Sequence, residues 1–316
     1  MTGASGFVGR HLVPRLVSSG HDVTKLKRGT DAGQGAEASP EVITGPSDFA
    51  ALRPDHIADH PPFDAVIHLA ALNPDRGRGE ASNDHALIRA NRDGSLALFR
   101  AVEAHGARHF LFLSTANVHA PSDRPIDEAS PIAPLDAYAR SKAMAETALL
   151  EAAKTSRIRL TILRPAPVYG EGGRGMISLL KRLAASAWPL PLPATLGERS
   201  FVSVEALSSA IIACLDRDGM GAETYLVADA EPVTPAALIA RLRTTRGRAP
   251  GLIPLPNAIL RTAAGIAGKG PAFQRLIEGF HIDARKLRHA TGWSPEPNTL
   301  AALLRQSADT GRTRQR

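Results

Sequence analysis

The stretch TGASGFVGR, residues 2–10, sets Gly3, Gly6 and Gly9 in a G-x-x-G-x-x-G spacing. Glycines permit a sharp turn and let backbone N–H groups approach a pyrophosphate at a helix N-terminus. Ser5, Phe7 and Val8 share the turn and join the glycines as candidate cofactor contacts. A plain strand-to-helix turn would show the same pattern, so the flanking sequence has to separate the two. RHLVPRLVSSG (10–20) reads as a helix closed by Gly20, and HDVTKL (21–26) reads as a strand. That succession is the context a dinucleotide-binding turn requires.

The alternation continues outward. DAVIHLAA (64–71), HFLFLST (109–115) and IRLTILRP (158–165) read as buried strands. Between them, DHALIRANRDGSLALFRAVEAHG (84–106) and DAYARSKAMAETALLEAAKT (136–155) read as helices. Strands alternating with helices predict an α/β fold, a doubly wound parallel sheet of Rossmann type. After Pro165 the chain becomes rich in Gly and Pro, as loops around active sites often are. VEALSSAIIACLDR (204–217) then predicts a helix, ETYLVAD (223–229) a strand, and the region beyond 230 a smaller, mostly helical part. The expected division is a dinucleotide-binding domain over 1–166, to which 200–229 returns. A substrate-binding domain is expected from 167–199 and 230–316.

The 316 residues are 43% hydrophobic and 22% charged, an ordinary globular composition. The single cysteine, Cys214, excludes an internal disulfide and a cysteine metal cluster, and no metal site is expected. No apolar run is long enough to span a bilayer, no signal peptide is seen, and a reducing cytoplasm is the expected location. The formal charge is +7, with a pI near 10.0. Aromatic residues are only 4%, so the base-stacking platform of a nucleic-acid binder is not evident. A basic surface also attracts phosphorylated small molecules.

Candidate chemistry gathers at strand ends. In NAD-preferring proteins an acidic side chain after the second strand accepts a hydrogen bond from the ribose 2′-hydroxyl. Here that strand ends KLKRG, so Lys27 and Arg28 stand in its place. Two cations suit a 2′-phosphate, which favours NADP within an NAD(P) reading; the alternative is a pair of solvated charges. YARSK sets Tyr138 and Lys142 at i and i+4 on one helix face. Tyrosine has an intrinsic pKa of about 10, and a neighbouring ammonium favours the phenolate, so the pair can serve as general acid and base. Ser114 and Thr115 close the strand before it, where hydroxyls meet a ligand crevice or simply cap backbone.

Together these pieces resemble the extended short-chain dehydrogenase/reductases, the NAD-dependent epimerase/dehydratase family. The carriers are TGASGFVG, HLAA, ANRDGS, LSTANVH, YARSK, LRPAPVYG and RSFVSV, in family order over nearly the whole chain. Within it the chain looks most like bacterial UDP-sugar 4-epimerases and 4-keto-sugar reductases. The resemblance implies a catalytic group of Thr115, Tyr138 and Lys142, with Asn91 supporting Lys142 through water. It implies that His68, Leu69, Ala70, Ala71 and Pro165 line the cofactor, beside Tyr138 and Lys142, and that Arg199 grips a nucleotide diphosphate. Arg76 and Arg174 are candidate substrate contacts in variable loops, with Ser114. The implied partner is a small-molecule nucleotide sugar, without nucleic acid, and a homodimer is compatible.

Some positions depart from the pattern. Thr115 replaces the commoner serine, His119 and Ala120 replace a Tyr/Asn–Gly pair, and Pro167 replaces a substrate-binding asparagine. The family also places a central strand immediately before TG, so the chain as written is expected to lack that strand and natural translation to begin upstream. The readings that remain are a sugar-nucleotide epimerase or reductase, an NADP-dependent reductase of a non-sugar carbonyl, and a non-catalytic dinucleotide-binding regulator.

Overall fold

The apolar runs fold into strands covered on both faces. The computed structural model describes residues 1–29, 41–73, 83–173, 176–186, 188–193, 196–217, 219–266 and 278–304. Helix α1 (Phe7–Ser18) leads to strands β1 (Lys25–Arg28), β2 (Val42–Gly45) and β3 (Ala65–His68). Helices α2 (Asp84–Ile88) and α3 (Gly94–Ala104) precede β4 (His109–Leu113) and β5 (Ser122–Ile126). Helix α4 (Ala137–Ala153) is followed by β6 (Arg159–Pro165) and β7 (Val168–Tyr169), which pairs in parallel with the later β9 (Val202–Ser203).

Strands β3, β4 and β6 and the later β10 (Ala222–Val227) form a parallel sheet in the order β10-β6-β4-β3. Strands β1 and β2 form a second parallel pair. Thr2 joins the two, bridging Leu26 of β1 and His68 of β3. Its N–H donates to Ile67 O at 3.0 Å, and Leu26 N–H donates to Met1 O at 2.8 Å. Below this link lies an apolar cleft lined by Leu26, Ile43, Ile57, Phe63, Val66 and Leu98. Met1 N donates to Thr24 O at 2.7 Å beside it.

Side chains alternate across a strand. Ile67, Leu111, Leu163 and Tyr225 therefore face one core, which α1 closes with Leu12 and Leu16 and α6 (Val204–Leu215) with Leu207 and Ile211. Val66, Phe110, Phe112 and Ile162 face the other, closed by Leu98 and Phe99 of α3 and Ala145 and Leu149 of α4. The doubly wound α/β reading thus holds, with helices on both faces.

A third core unites α5 (Met176–Ala185), α7 (Pro235–Thr244) and Leu303, with Tyr169 and Phe201 at its root. Strands β8 (Leu190–Pro193) and β11 (Leu252–Leu255) pair in parallel beside it, and α8 (Asn257–Ile266) packs on β8. The region beyond 230 therefore contains sheet as well as helix. Periodicity could not show this, because each strand is four residues long and finds its partner some sixty residues away.

Two local readings shift. The strand predicted at 21–26 forms at Lys25–Arg28, because the end of α1 uses the preceding residues: Gly20 adopts φ +84°, and His21 N–H donates back to Leu16 O. The helix predicted over 84–106 is interrupted at 89–93 by a π-helical turn that holds Asn91 buried. Such bulges recur at functional sites.

Candidate active site

The glycine turn is fastened to the end of β3. Gly3 has φ +70°, and a Cβ there would lie 2.7 Å from Ala70 N. A Cβ on Gly9 would lie 2.3 Å from Gly3 O, so α1 can start against the turn only because Gly9 has none. Gly6 is the α1 N-cap; no side chain caps the helix and no acid lies in its first turn. Its first N–H groups are left for an outside acceptor. Ser5 is exposed, Val8 half-buried, and Phe7 buried against the turn's far side, where Gly170 and Gly173 approach its ring. A tight turn that Cβ atoms at Gly3 and Gly9 would break, leading into a helix end without acid or side-chain cap, fits a dinucleotide pyrophosphate.

Lys27 and Arg28 are exposed at the end of β1. Arg28 lies near Asp48, whose carboxyl is held below its usual range by the Ala50 N–H first and by Arg89 and Arg28 after it. His68 is buried, Leu69 and Ala70 are half-buried and Ala71 is exposed, so the HLAA segment runs outward beside the glycine turn. Pro165, buried at the end of β6, pairs with Val227.

A directed hydrogen-bond chain runs from the turn to helix α4. Ala70 N–H donates to Thr2 Oγ1 at 3.3 Å, and Thr2 Oγ1 meets His68 Nδ1 at 2.6 Å. His68 Nε2 lies 2.9 Å from Ser95 Oγ, whose own proton goes to Asn91 O at 2.5 Å. Ser95 must therefore accept from Nε2–H, and Nδ1 accepts from Thr2. A neutral ring satisfies every bond, and burial first, then the Lys142 charge, push His68 down to about 3. Asn91 continues the chain: Oδ1 accepts from Leu72 N–H, and Nδ2 donates to Leu72 O and to Ser141 Oγ at 2.8 Å. Ser141 Oγ then donates to Tyr138 O at 2.8 Å. Asn91 thus holds Ser141, the residue before Lys142, directly.

Tyr138 is half-buried at the start of α4, and Lys142 is buried one turn on, 1% exposed. Asp136 fixes that start by accepting from Ala139 N–H at 2.7 Å. Lys142 Nζ lies 3.8 Å above the Phe112 ring, and Phe112 stacks on His68. Burial pushes the ammonium down to about 7, against the raising charge of Glu146. Thr115 is half-buried, and its Oγ1 accepts from Asn117 N–H at 3.2 Å, leaving its proton to donate elsewhere.

Ser114 does not open to the crevice as expected. It is buried, and its hydroxyl donates to the Glu146 carboxylate. Glu146 in turn meets Arg164 through Nη2 at 2.6 Å and Nε at 3.1 Å, with both side chains buried. Arg164 Nη1 donates to His119 Nε2 at 3.1 Å, and His119 Nδ1 donates to Pro131 O. Residue 119 is thus a link in this network, which motif reading passed over. Spacing offered one signal: Glu146 follows Tyr138 and Lys142 at i+8 and i+4 on the same face. Arg199 is buried too; its Nη1 donates to Glu278 O at 2.9 Å and it lies over Phe280, built into packing rather than presented at the surface. Arg76 and Arg174 lie outside the described residues.

Among known proteins, the family model "NAD dependent epimerase/dehydratase family" matches residues 1–228. A UDP-glucose 4-epimerase of Vibrio cholerae is 27% identical over 98% of this chain and 93% of its own. A GDP-6-deoxy-D-mannose reductase of Pseudomonas aeruginosa is 28% identical over 96% and 95%. The solved structure of MoeE5 in complex with UDP-glucuronic acid and NAD has the same fold, with a TM-score of 0.75 at 22% identity over 99% of this chain and 98% of its own. No described helix is long and apolar enough to cross a membrane. The chain belongs to the NAD-dependent epimerase/dehydratase family and is an NAD(P)-dependent enzyme of the epimerase and reductase kind.

Proposed function

We propose that the chain is a nucleotide-sugar 4-epimerase or 4-keto-reductase, acting on a UDP-sugar, with Tyr138 as its acid and base. The observation that carries this reading is the placement of Lys142 over Phe112 at the end of β4, with Tyr138 one turn before it on α4. The Lys142 cation favours the phenolate of Tyr138, so the phenol can exchange a proton with a carbinol or carbonyl oxygen. Thr115 donates its remaining proton to the same oxygen. Asn91 and Ser141 hold the first turn of α4 in place. Gly3, Gly6 and Gly9 hold the pyrophosphate, and Lys27 and Arg28 favour a 2′-phosphate and hence NADP. The nicotinamide, when bound, supplies the hydride exchange.

Lys27 and Arg28 also support a second reading, an NADP-dependent reductase of a non-sugar carbonyl. One experiment separates these outcomes. The purified protein is denatured, its supernatant assayed for NAD and NADP, and the native protein offered UDP-sugars, UDP-4-keto-sugars and simple ketones. Tightly held dinucleotide with interconversion of UDP-sugars marks an epimerase, and NADPH consumption with a keto-sugar marks a reductase. Tyr138→Phe should stop turnover and keep cofactor binding. Turnover unchanged in that variant would remove Tyr138 from the mechanism.

A further inference from the structure

The basic residues of one lobe outnumber its acids. Among the described residues of segments 172–197 and 232–277, which supply α5, β8, α7, β11 and α8, there are seven Lys or Arg and no Asp or Glu. Lys181, Arg246 and Arg248 gather around α5. Lys181 on α5 lies near Arg246, whose charge adds to burial in holding the ammonium below its usual range. Arg248 donates to Ala185 O at 2.8 Å, which sets it at the C-terminal end of α5. Arg182, Arg246, Arg248 and Arg261 are all exposed.

Large apolar side chains are exposed on the same elements. Trp188 is 80% exposed, Ile266 86% and Ile259 57%, with Leu179 and Ile253 about half exposed. Ile259 and Ile266 stand seven residues apart, on one face of α8. Trp188 is held in place from behind. Buried Arg243 donates to the carbonyls of Ser186, Trp188, Pro250 and Gly251, which ties the α5–β8 turn to the start of β11. The indole is therefore displayed on a fixed backbone.

Cations interleaved with tryptophan and aliphatic side chains, without acids, match the chemistry of an anionic bilayer surface. Isoleucine and leucine offer nothing to a nucleic acid, which wants aromatic stacking. A second copy of the same face would bring like charges together. We propose that this lobe is an interfacial docking face for an anionic phospholipid bilayer. Trp188, Ile259 and Ile266 enter the headgroup boundary, and Lys181, Arg182, Arg246, Arg248 and Arg261 meet lipid phosphates. Helix α5 follows closely on Gly170 and Gly173, which pack on Phe7 of the glycine turn, so the docked face lies one short segment from the cofactor cradle.

The test uses the whole purified chain, without substrate, and sedimentation with vesicles. One set is phosphatidylcholine alone, and the other replaces a quarter of it with phosphatidylglycerol. The chain has two tryptophans, and Trp293 is buried with its indole N–H on Ser209, so a vesicle-induced blue shift reports Trp188. We expect sedimentation and a blue shift with anionic vesicles, neither with neutral ones, and loss of the shift in Trp188→Phe. Each basic residue at an anionic surface contributes about fivefold in affinity, so Arg182→Gln with Arg246→Gln should weaken binding about 25-fold. Both positions are exposed; unchanged near-ultraviolet circular dichroism would show that the variant folds, and Ile266→Ser gives an independent variant with weaker binding expected. The proposal is overturned by no sedimentation with anionic vesicles at low salt, by sedimentation without a Trp188 shift, or by a folded double variant that binds unchanged. Equal or tighter binding to duplex DNA would also overturn it. None of these readouts depends on the catalytic reading.

Discussion

The Lys142 ammonium lies 3.8 Å from the centre of the Phe112 ring, and Phe112 stands opposite His68 in the register of β3 and β4. A buried cation with a ring beneath it is costly to the fold and useful to a neighbouring phenol. The folded pKa, about 7, lies below the ordinary lysine value of 10.5. The cation therefore opposes folding at pH 7 and below, and the penalty fades as pH rises toward 10. Lys142→Met should stabilise the protein by about 1–3 kcal/mol at pH 7, with a smaller gain at pH 9. Turnover should fall at least about 100-fold. Urea unfolding at the two pH values and a steady-state assay check both; a destabilised variant, or one that keeps its rate, contradicts this account.

His68 carries the same sign in a lower pH window. Its folded pKa is pushed down to about 3 from 6.5, so the folded state holds fewer protons than the unfolded chain between those values. Stability is complete above pH 6.5 and drains away as pH falls through the window. Ser95→Ala removes the acceptor of His68 Nε2–H and leaves a buried donor, which should cost about 1–3 kcal/mol at pH 7. Thermal denaturation measures this. A shift in midpoint of less than one degree would mean that the donor finds another partner.

Asp229 titrates in the same range for a different reason. It accepts the Tyr169 hydroxyl at 2.6 Å, and burial first, then Glu296 and Glu205, raise its carboxyl to about 7. The Tyr169 phenol is raised as well, so it stays a donor. The folded state holds more protons than the unfolded between pH 3.8 and 7, so this group loses stability as pH rises through that window. Asp229→Asn mimics the protonated acid. It should raise stability at pH 8 by about 2–4 kcal/mol and leave pH 4 nearly unchanged. Denaturant midpoints across that range would show a flattened profile, and a parallel drop at every pH would refute the argument.

The cofactor preference rests on two exposed cations at the end of β1. Charge-assisted bonds to a phosphate contribute about 1.5–3 kcal/mol. Lys27→Ala with Arg28→Asp should lower the affinity for NADP relative to NAD at least about tenfold. Calorimetric titration of both dinucleotides gives the ratio. An unchanged ratio would mean that neither residue reads the 2′ position.

The sheet and the glycine turn were legible because they rest on local patterns: short apolar runs, and glycines placed where Cβ atoms would collide with Ala70 and Gly3. The Tyr138–Lys142 pair was legible because one helix turn separates its members. The rest depends on long-range contacts. Asn91 reaches Ser141 across fifty residues, and the π-helical turn that buries it leaves no periodic signature. Ser114 read as a crevice hydroxyl because its strand position allows that, and only the fold reveals Glu146 waiting behind it. Arg199 matched a motif, and only the fold shows its guanidinium buried, donating to Glu278 O and lying over Phe280.

The buried Glu146–Arg164 pair supplies the last prediction, because its two ends touch opposite sides of the site. Glu146 accepts from Ser114, next to Thr115, and its charge opposes the depression of Lys142; Arg164 donates to His119. Removing one partner strands the other charge in the core. Arg164→Met should cost about 3–5 kcal/mol, and Glu146→Leu a comparable amount. The double variant replaces the pair with apolar bulk and should recover most of that loss, with a coupling of about 2 kcal/mol or more in a double-mutant cycle. Activity should not recover with stability. Without the carboxylate, Ser114 loses its acceptor and the Lys142 pKa falls further, so less cation remains beside Tyr138 at neutral pH. In the double variant kcat should stay at least about tenfold down while the unfolding midpoint returns. Additive stability losses, or a rate that recovers with the fold, would separate this pair from the catalytic helix.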